Sequence, residues 1–184
     1  MEVVEITQEH RDLVSKYAIK QTIGGFTNLS SSDLKKATRE HFQYTGLYGE
    51  AAWHTFRYGN LDRLRDLLDM KYEVCRENGI GDGGYDDHIT KNGHTRIIDI
   101  KSSHREANDV HRLNLIVPKR EYHENTIYVA AFTIGKDRIN VDKVILAGWV
   151  NNERVVKPWR QDEPDKKCVP VSELRDINIL KKIF

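Results

Sequence analysis

The dipeptide Asn92-Gly93 constrains this chain more than any other feature. Asn-Gly between two strand-like runs is the strongest short hairpin signal, because a type I′ turn needs positive φ at both central residues. The flanking runs are residues 85–90 and 95–102. A two-residue loop sets Lys91 opposite His94 and Thr90 opposite Thr95. Further down the same ladder, Ile89 faces Arg96, His88 faces Ile97, Asp87 faces Ile98 and Asp86 faces Asp99. Opposed residues share a face with Cβ atoms about 4.5–5.5 Å apart, so this register brings two carboxylates side by side. Lys101, two residues beyond Asp99, lies on that same face.

Like charges opposed across a ladder destabilise it, and a cation between them reverses the sign. Mg²⁺ is a hard ion that takes one or two carboxylates together with waters and phosphates. The register assigns Asp87 to the apolar side with Tyr85 and Ile89, which leaves Asp86 as the better ligand; a β-bulge in the hairpin would favour Asp87 instead. Ordinary surface charges on a polar hairpin are the plainer reading. The opposed acids, the lysine and the glycine-rich lead-in at residues 81–84 occur together, and together they point to a divalent-metal site.

The chain has 184 residues, enough for a single domain, 1–184, with a substantial core. It divides into a mainly helical part (1–80), a sheet core (81–150) and a C-terminal loop and helix (151–184). Hydrophobic residues make up 39% and charged residues 31%, the balance of a soluble globular protein, and no apolar run is long enough to span a membrane. The N-terminus is acidic and mixed rather than a secretory signal, so a cytoplasmic location is expected. Cys75 and Cys168 lack metal-type spacing and are expected to be reduced. Net charge is +1, which does not by itself advertise nucleic-acid binding. A basic rim of Lys91, Arg96, Lys101, His104 and Arg105 around the hairpin is nonetheless compatible with a phosphate substrate.

Apolar spacing predicts helices over 7–22, 33–44, 49–58 and 60–78. Gly24-Gly25 would end the first. Ser31-Ser32-Asp33 would cap the second, Gly46 and Gly49 would separate it from the third, and Gly79 would end the fourth. Glu50 opens the third helix, where an acid either complements the helix dipole or supplies a further ligand to the hairpin. Residues 104–110 read as a loop. Strands are expected over 112–117, 126–134, 143–150 and, briefly, 169–171, with a last helix over 173–182. Residues 126–134 are apolar enough to be buried on both faces. The class is α/β (α+β): a central mixed β-sheet of about five or six strands flanked by helices.

The order of a helix glutamate, an aspartate at the start of a hairpin and Asp99-Ile100-Lys101 on the next strand resembles the PD-(D/E)XK nuclease superfamily, with its restriction-endonuclease-like fold. Gly81-Asp82-Gly83-Gly84-Tyr85-Asp86 is similar to the Gly-Gly-x-Asp lead-in of Mrr-type restriction endonucleases. The proline of the superfamily's name is absent here. The resemblance spans residues 49–150 and implies a metal-dependent nuclease that hydrolyses DNA phosphodiesters. Asp86, Asp99 and the Ile100 carbonyl would hold Mg²⁺ or Mn²⁺. Lys101 would orient the attacking water, and Glu50 would complete the site. Lys91, Arg96, Ser102, Ser103, His104 and Arg105 would contact single- or double-stranded DNA.

Three other readings stand beside this one: a non-catalytic DNA-binding or assembly module of the same fold, a metal-dependent phosphoesterase acting on RNA or nucleotides, and a zinc site. The last is the weakest, because His88, His94, His104 and His111 have no fixed ligand spacing. A chain of this length leaves little room for a recognition domain, so low sequence specificity is expected. The apolar segment 177–184 suits either core packing or a homodimer interface.

Overall fold

Asn92 and Gly93 adopt φ of 51° and 78°, and the strands they join, β2 (Asp87–Lys91) and β3 (His94–Arg105), pair antiparallel from Lys91↔His94 to Asp87↔Ile98. This is the register that the turn dictates. The ladder stops there, however. The main-chain N–H of Asp86 bonds the carbonyl of Ile98, one residue off the ladder, and the expected Asp86–Asp99 pair does not form. β3 runs on alone along this side, so its second half is an open edge among the described residues.

The computed structural model describes residues 1–24, 36–78, 85–106, 109–161 and 163–183. It is a mixed α+β fold with four helices among the described residues. Its larger sheet is mixed, in the order β1-β6-β5-β3-β2, formed by β1 (Glu2–Glu5), β6 (Val141–Asn151), β5 (Thr126–Gly135) and the hairpin. Among the described residues of this sheet, only β3 and β5 run parallel. A smaller antiparallel sheet contains β4 (Asn114–Pro118), β8 (Glu163–Pro170) and β7 (Lys157–Arg160). No described helix is long and apolar enough to cross a membrane.

All ten residues of β5 are buried, and their alternation explains why. Ile127, Val129 and Ala131 enter a core beneath the helices, whereas Tyr128, Ala130, Phe132 and Ile134 enter a second core beneath the small sheet. The first core receives Leu13, Val14 and Tyr17 of α1 (Gln8–Gly24), and Leu61, Leu64 and Leu68 from in and just before α3 (Asp62–Asn78). Ile177 and Leu180 of α4 (Ile177–Ile183) close it. His10 caps the start of α1: its ring accepts the Thr7 main-chain N–H through Nδ1 at 3.2 Å, the part a Glu or Gln usually plays in a capping box.

The expected second and third helices are one continuous α2 (Lys36–Tyr58), and Gly46 and Gly49 lie inside it rather than dividing it. Gly49 is there for closeness. A Cβ at this position would sit 1.9 Å from Ser102 Oγ and 3.3 Å from Ile100 Cγ2. The helix therefore presses its backbone onto the open half of β3. Burial of Tyr44, Leu47, Tyr48, Ala51 and Ala52 at helical spacing outweighs the propensity cost of two glycines.

Other expectations change. Residues 104–105 continue β3 instead of starting a loop. The tail 151–184 holds β7 and β8 besides its helix, which starts at Ile177 rather than 173, and β1 adds a strand that apolar spacing does not predict. The hairpin's glycine-rich lead-in, the Ser31-Ser32-Asp33 cap, Gly25 and Gly79 lie outside the described residues. Cys168 is a free thiol, and the Cys75 side chain lies outside the described set.

Candidate active site at the open edge of strand β3

Ile98 and Ile100 point into the helix-side core, so Asp99 and Lys101 project from the opposite face. Asp86 stands at the edge between the two faces. Its carboxylate takes the position of a ladder carbonyl and accepts the Ile100 N–H through Oδ2 at 2.6 Å. The Asp86 carbonyl is held by His54 Nε2 of α2 at 3.4 Å, and Lys71 of α3 comes within 3.7 Å of Asp86 Oδ1. Burial keeps the fully enclosed His54 below its ordinary pKa, so it acts as a neutral donor here.

Asp87 has a different task. It is completely buried and receives Trp53 Nε1–H at 3.0 Å, Tyr58 O–H at 2.7 Å and its neighbour's N–H (His88) at 2.8 Å. Arg63 lies 3.0 Å from its Oδ1. Burial, then the bond to Asp87, pushes the Tyr58 phenol up to about 12. This carboxylate ties the hairpin to α2 and α3, while its neighbour faces the cleft.

Lys101 Nζ bridges Asp99 Oδ1 and Glu121 Oε2, each at 2.7 Å. Burial alone would lower the Lys101 pKa, but these two carboxylates more than offset it, and the net shift is upward. Asp99 is pushed up to about 7, chiefly by burial and then by the charge of Asp86, against the opposing pull of Lys101. Asp86 and Asp99 therefore feel one another although the ladder does not pair them.

Glu121 is the member that sequence reasoning missed. It sits in a 3-10 turn, Lys119–Glu121, within the connection between the parallel strands β3 and β5. Tyr128, the register partner of Asp99, locks that turn: its hydroxyl donates to the Glu121 carbonyl at 2.9 Å and accepts the His123 N–H at 3.1 Å. Nothing in the local sequence Lys119-Arg120-Glu121 distinguishes it from a solvated turn; only the path of the connection brings it to Lys101.

Glu50, Asp86, Asp99, Ile100, Lys101, Ser102 and Glu121 line one cleft of about 460 Å³ that wraps around the open edge. Glu50 enters from α2, on the helix side. Among the residues expected to contact DNA, Ser102 lines this cleft, and Ser103, His104 and Arg105 follow it along β3. Lys91 and Arg96 do not reach it. They lie toward the turn, where Lys91 donates to the Ile183 carbonyl and Arg96 to Asn125 Oδ1 at 3.1 Å. Among the described residues, no group of three or more His, Cys, Asp or Glu side chains stands ready to hold a metal.

No family model matches the chain, and no curated protein or solved structure matches it.

Proposed function

We propose that this protein is a divalent-metal-dependent nuclease that hydrolyses phosphodiester bonds in DNA, with little sequence specificity. The observation that carries this reading is the convergence of Asp86, Asp99 and Lys101 on one unpaired strand edge. The donor set suits Mg²⁺ or Mn²⁺: every candidate atom is oxygen, and two carboxylates repel one another strongly enough to help lift Asp99 to about 7. Asp86, Asp99 and the Ile100 carbonyl would hold the cation, with Glu50 on the helix side. Bound there, a divalent cation polarises a phosphate oxygen and acidifies a water.

The remaining chemistry belongs to the chain. Lys101, anchored by Glu121, offers its ammonium to the phosphate oxygens as negative charge develops. Asp86 holds the Ile100 peptide in place, which aims the next carbonyl along the edge. One observation favours a second reading. Lys101 already neutralises Asp99 in a closed triad with Glu121, an arrangement that also suits a nucleic-acid-binding module without catalysis.

Incubation of the purified protein with single- and double-stranded DNA, and with RNA, under Mg²⁺, Mn²⁺ or EDTA separates the two readings. Cleavage that requires the metal and disappears in Asp99→Ala and Lys101→Ala supports the nuclease. Binding without cleavage supports the module. Cleavage that persists in both variants, or under chelation, overturns the mechanism.

A further inference from the structure

The second half of β3 carries polar groups that the proposed chemistry does not use. Ser102 Oγ, His104 Nε2 and Arg105 Nε are all buried and make no hydrogen bond among the described residues. Buried polar groups are nearly always satisfied, so several along one strand end call for a ligand or solvent. Ser102 and His104 share the helix-side face, and Ser102 lines the cleft. Beside them Arg138, from the turn between β5 and β6, lies over the ring of Phe42 at 4.3 Å from its centroid. Phe42 is 43% exposed and also lines the cleft.

Arg105 is in register with Ile134, and Arg138 follows four residues later in the turn after β5, so both arginines stand at this end of the sheet. Arg138 is depressed by burial and then by the charge of Arg105, and neither arginine forms a salt bridge among the described residues. His104 is held low by burial and then by Arg138, so it contributes a neutral ring. Two acids are nearby. Asp137 is engaged in its own turn, accepting the Ile139 N–H at 2.9 Å and the Asn140 N–H at 2.7 Å, and Glu106 is exposed. The result is paired positive charge, an exposed ring and unfilled hydrogen-bonding groups, continuous with the cleft.

We propose that Arg105 and Arg138, with Phe42 beside them, form an anion track that holds a phosphate of the substrate strand adjacent to the one being cut. The track extends the nuclease reading, on which the identity of its ligand rests. A positively charged groove with an aromatic surface is the usual means of gripping single-stranded nucleic acid without reading its sequence.

The test is fluorescence anisotropy with a short labelled oligothymidylate in EDTA, across a salt series, so that binding is read without cleavage. Arg105→Gln and Arg138→Gln each weaken binding. The double variant loses about tenfold or more at low salt, and its log–log salt slope becomes shallower by about 0.7, the change expected when one phosphate contact to a single strand is lost. Lys182→Gln removes an exposed charge from α4 and keeps wild-type binding. Absence of wild-type binding, a double variant with unchanged affinity and slope, or an equal loss in Lys182→Gln overturns the track. Arginine-dependent binding without metal-dependent cleavage keeps the track and overturns the nuclease. Cleavage by a protein indifferent to both arginines does the reverse.

Discussion

The carboxylate of Asp86 accepts the main-chain N–H of Ile100 at 2.6 Å, so a side chain finishes the ladder that the strand abandons. Asp86→Asn keeps an oxygen for this bond and loses the charge, whereas Asp86→Ala loses both. Both variants are expected to lack metal-dependent cleavage. Only the alanine variant should also be less stable, by about 1–2 kcal/mol in urea denaturation, the cost of an orphaned buried donor.

Asp99 gives a pH signature. Its folded-state pKa of about 7 lies above the unfolded value near 3.8, so the folded state holds this proton more tightly. Stability from that proton is present below the unfolded pKa and is lost as the pH rises toward about 7. Asp99→Asn removes the penalty. The variant should match the wild type near pH 4 and exceed it near pH 8 by roughly 2–4 kcal/mol. Mg²⁺ should close this gap by stabilising the wild type alone. Thermal melts across pH, with and without Mg²⁺, measure both effects.

Glu121 tests the anchoring of Lys101. Glu121→Gln leaves the ammonium with one anionic partner instead of two. Cleavage should fall about 10–100-fold, the usual effect of losing a group that orients a site from behind. Steady-state kinetics at saturating Mg²⁺ read the loss. A variant with wild-type rates would remove Glu121 from the site.

Asp87→Ala should be the most damaging substitution for the fold. It strips the buried partner from Arg63, Trp53 and Tyr58 together. A cost of about 3–5 kcal/mol is expected, because the Trp53 and Tyr58 donors lose their acceptor at about 1–3 kcal/mol each, while Arg63 keeps contact with solvent. Urea denaturation with intrinsic tryptophan fluorescence reports it directly, Trp53 being one of the partners.

Gly49→Ala drives a methyl group toward Ser102 Oγ and should cost about 1–3 kcal/mol by overpacking. Adding Ser102→Ala removes the nearest atom but leaves Ser102 Cβ's position at 3.1 Å. The double variant should therefore recover part of the loss, and the non-additivity measures the contact between α2 and β3.

Much of the hairpin is legible in the order of its residues. Asn92-Gly93 admits one turn geometry, and a period of two then assigns faces from Lys91↔His94 to Asp87↔Ile98 and puts Lys101 on the face of Asp99, but it does not place Asp86, which leaves the ladder. β5 is equally readable, since a run so apolar has nowhere to lie except between two cores. Local patterns are poorer guides where packing outweighs propensity. Gly46 and Gly49 look like helix ends, yet α2 continues through them because β3 lies too close for a side chain at residue 49.

Spacing along the chain also does not reveal partners that arrive from elsewhere. Glu121 and Arg138 sit in turns; the crossover from β3 to β5 delivers Glu121 to the cleft, and the β5–β6 connection brings Arg138 over the Phe42 ring that lines it. The sequence by itself determined the turn, the register and the faces, because those follow from φ and from the two-residue repeat of a strand. The tertiary structure decided where the ladder ends, which charges converge on the exposed edge and how far burial shifts them. Those quantities depend on distances between segments that the chain brings together only when it folds.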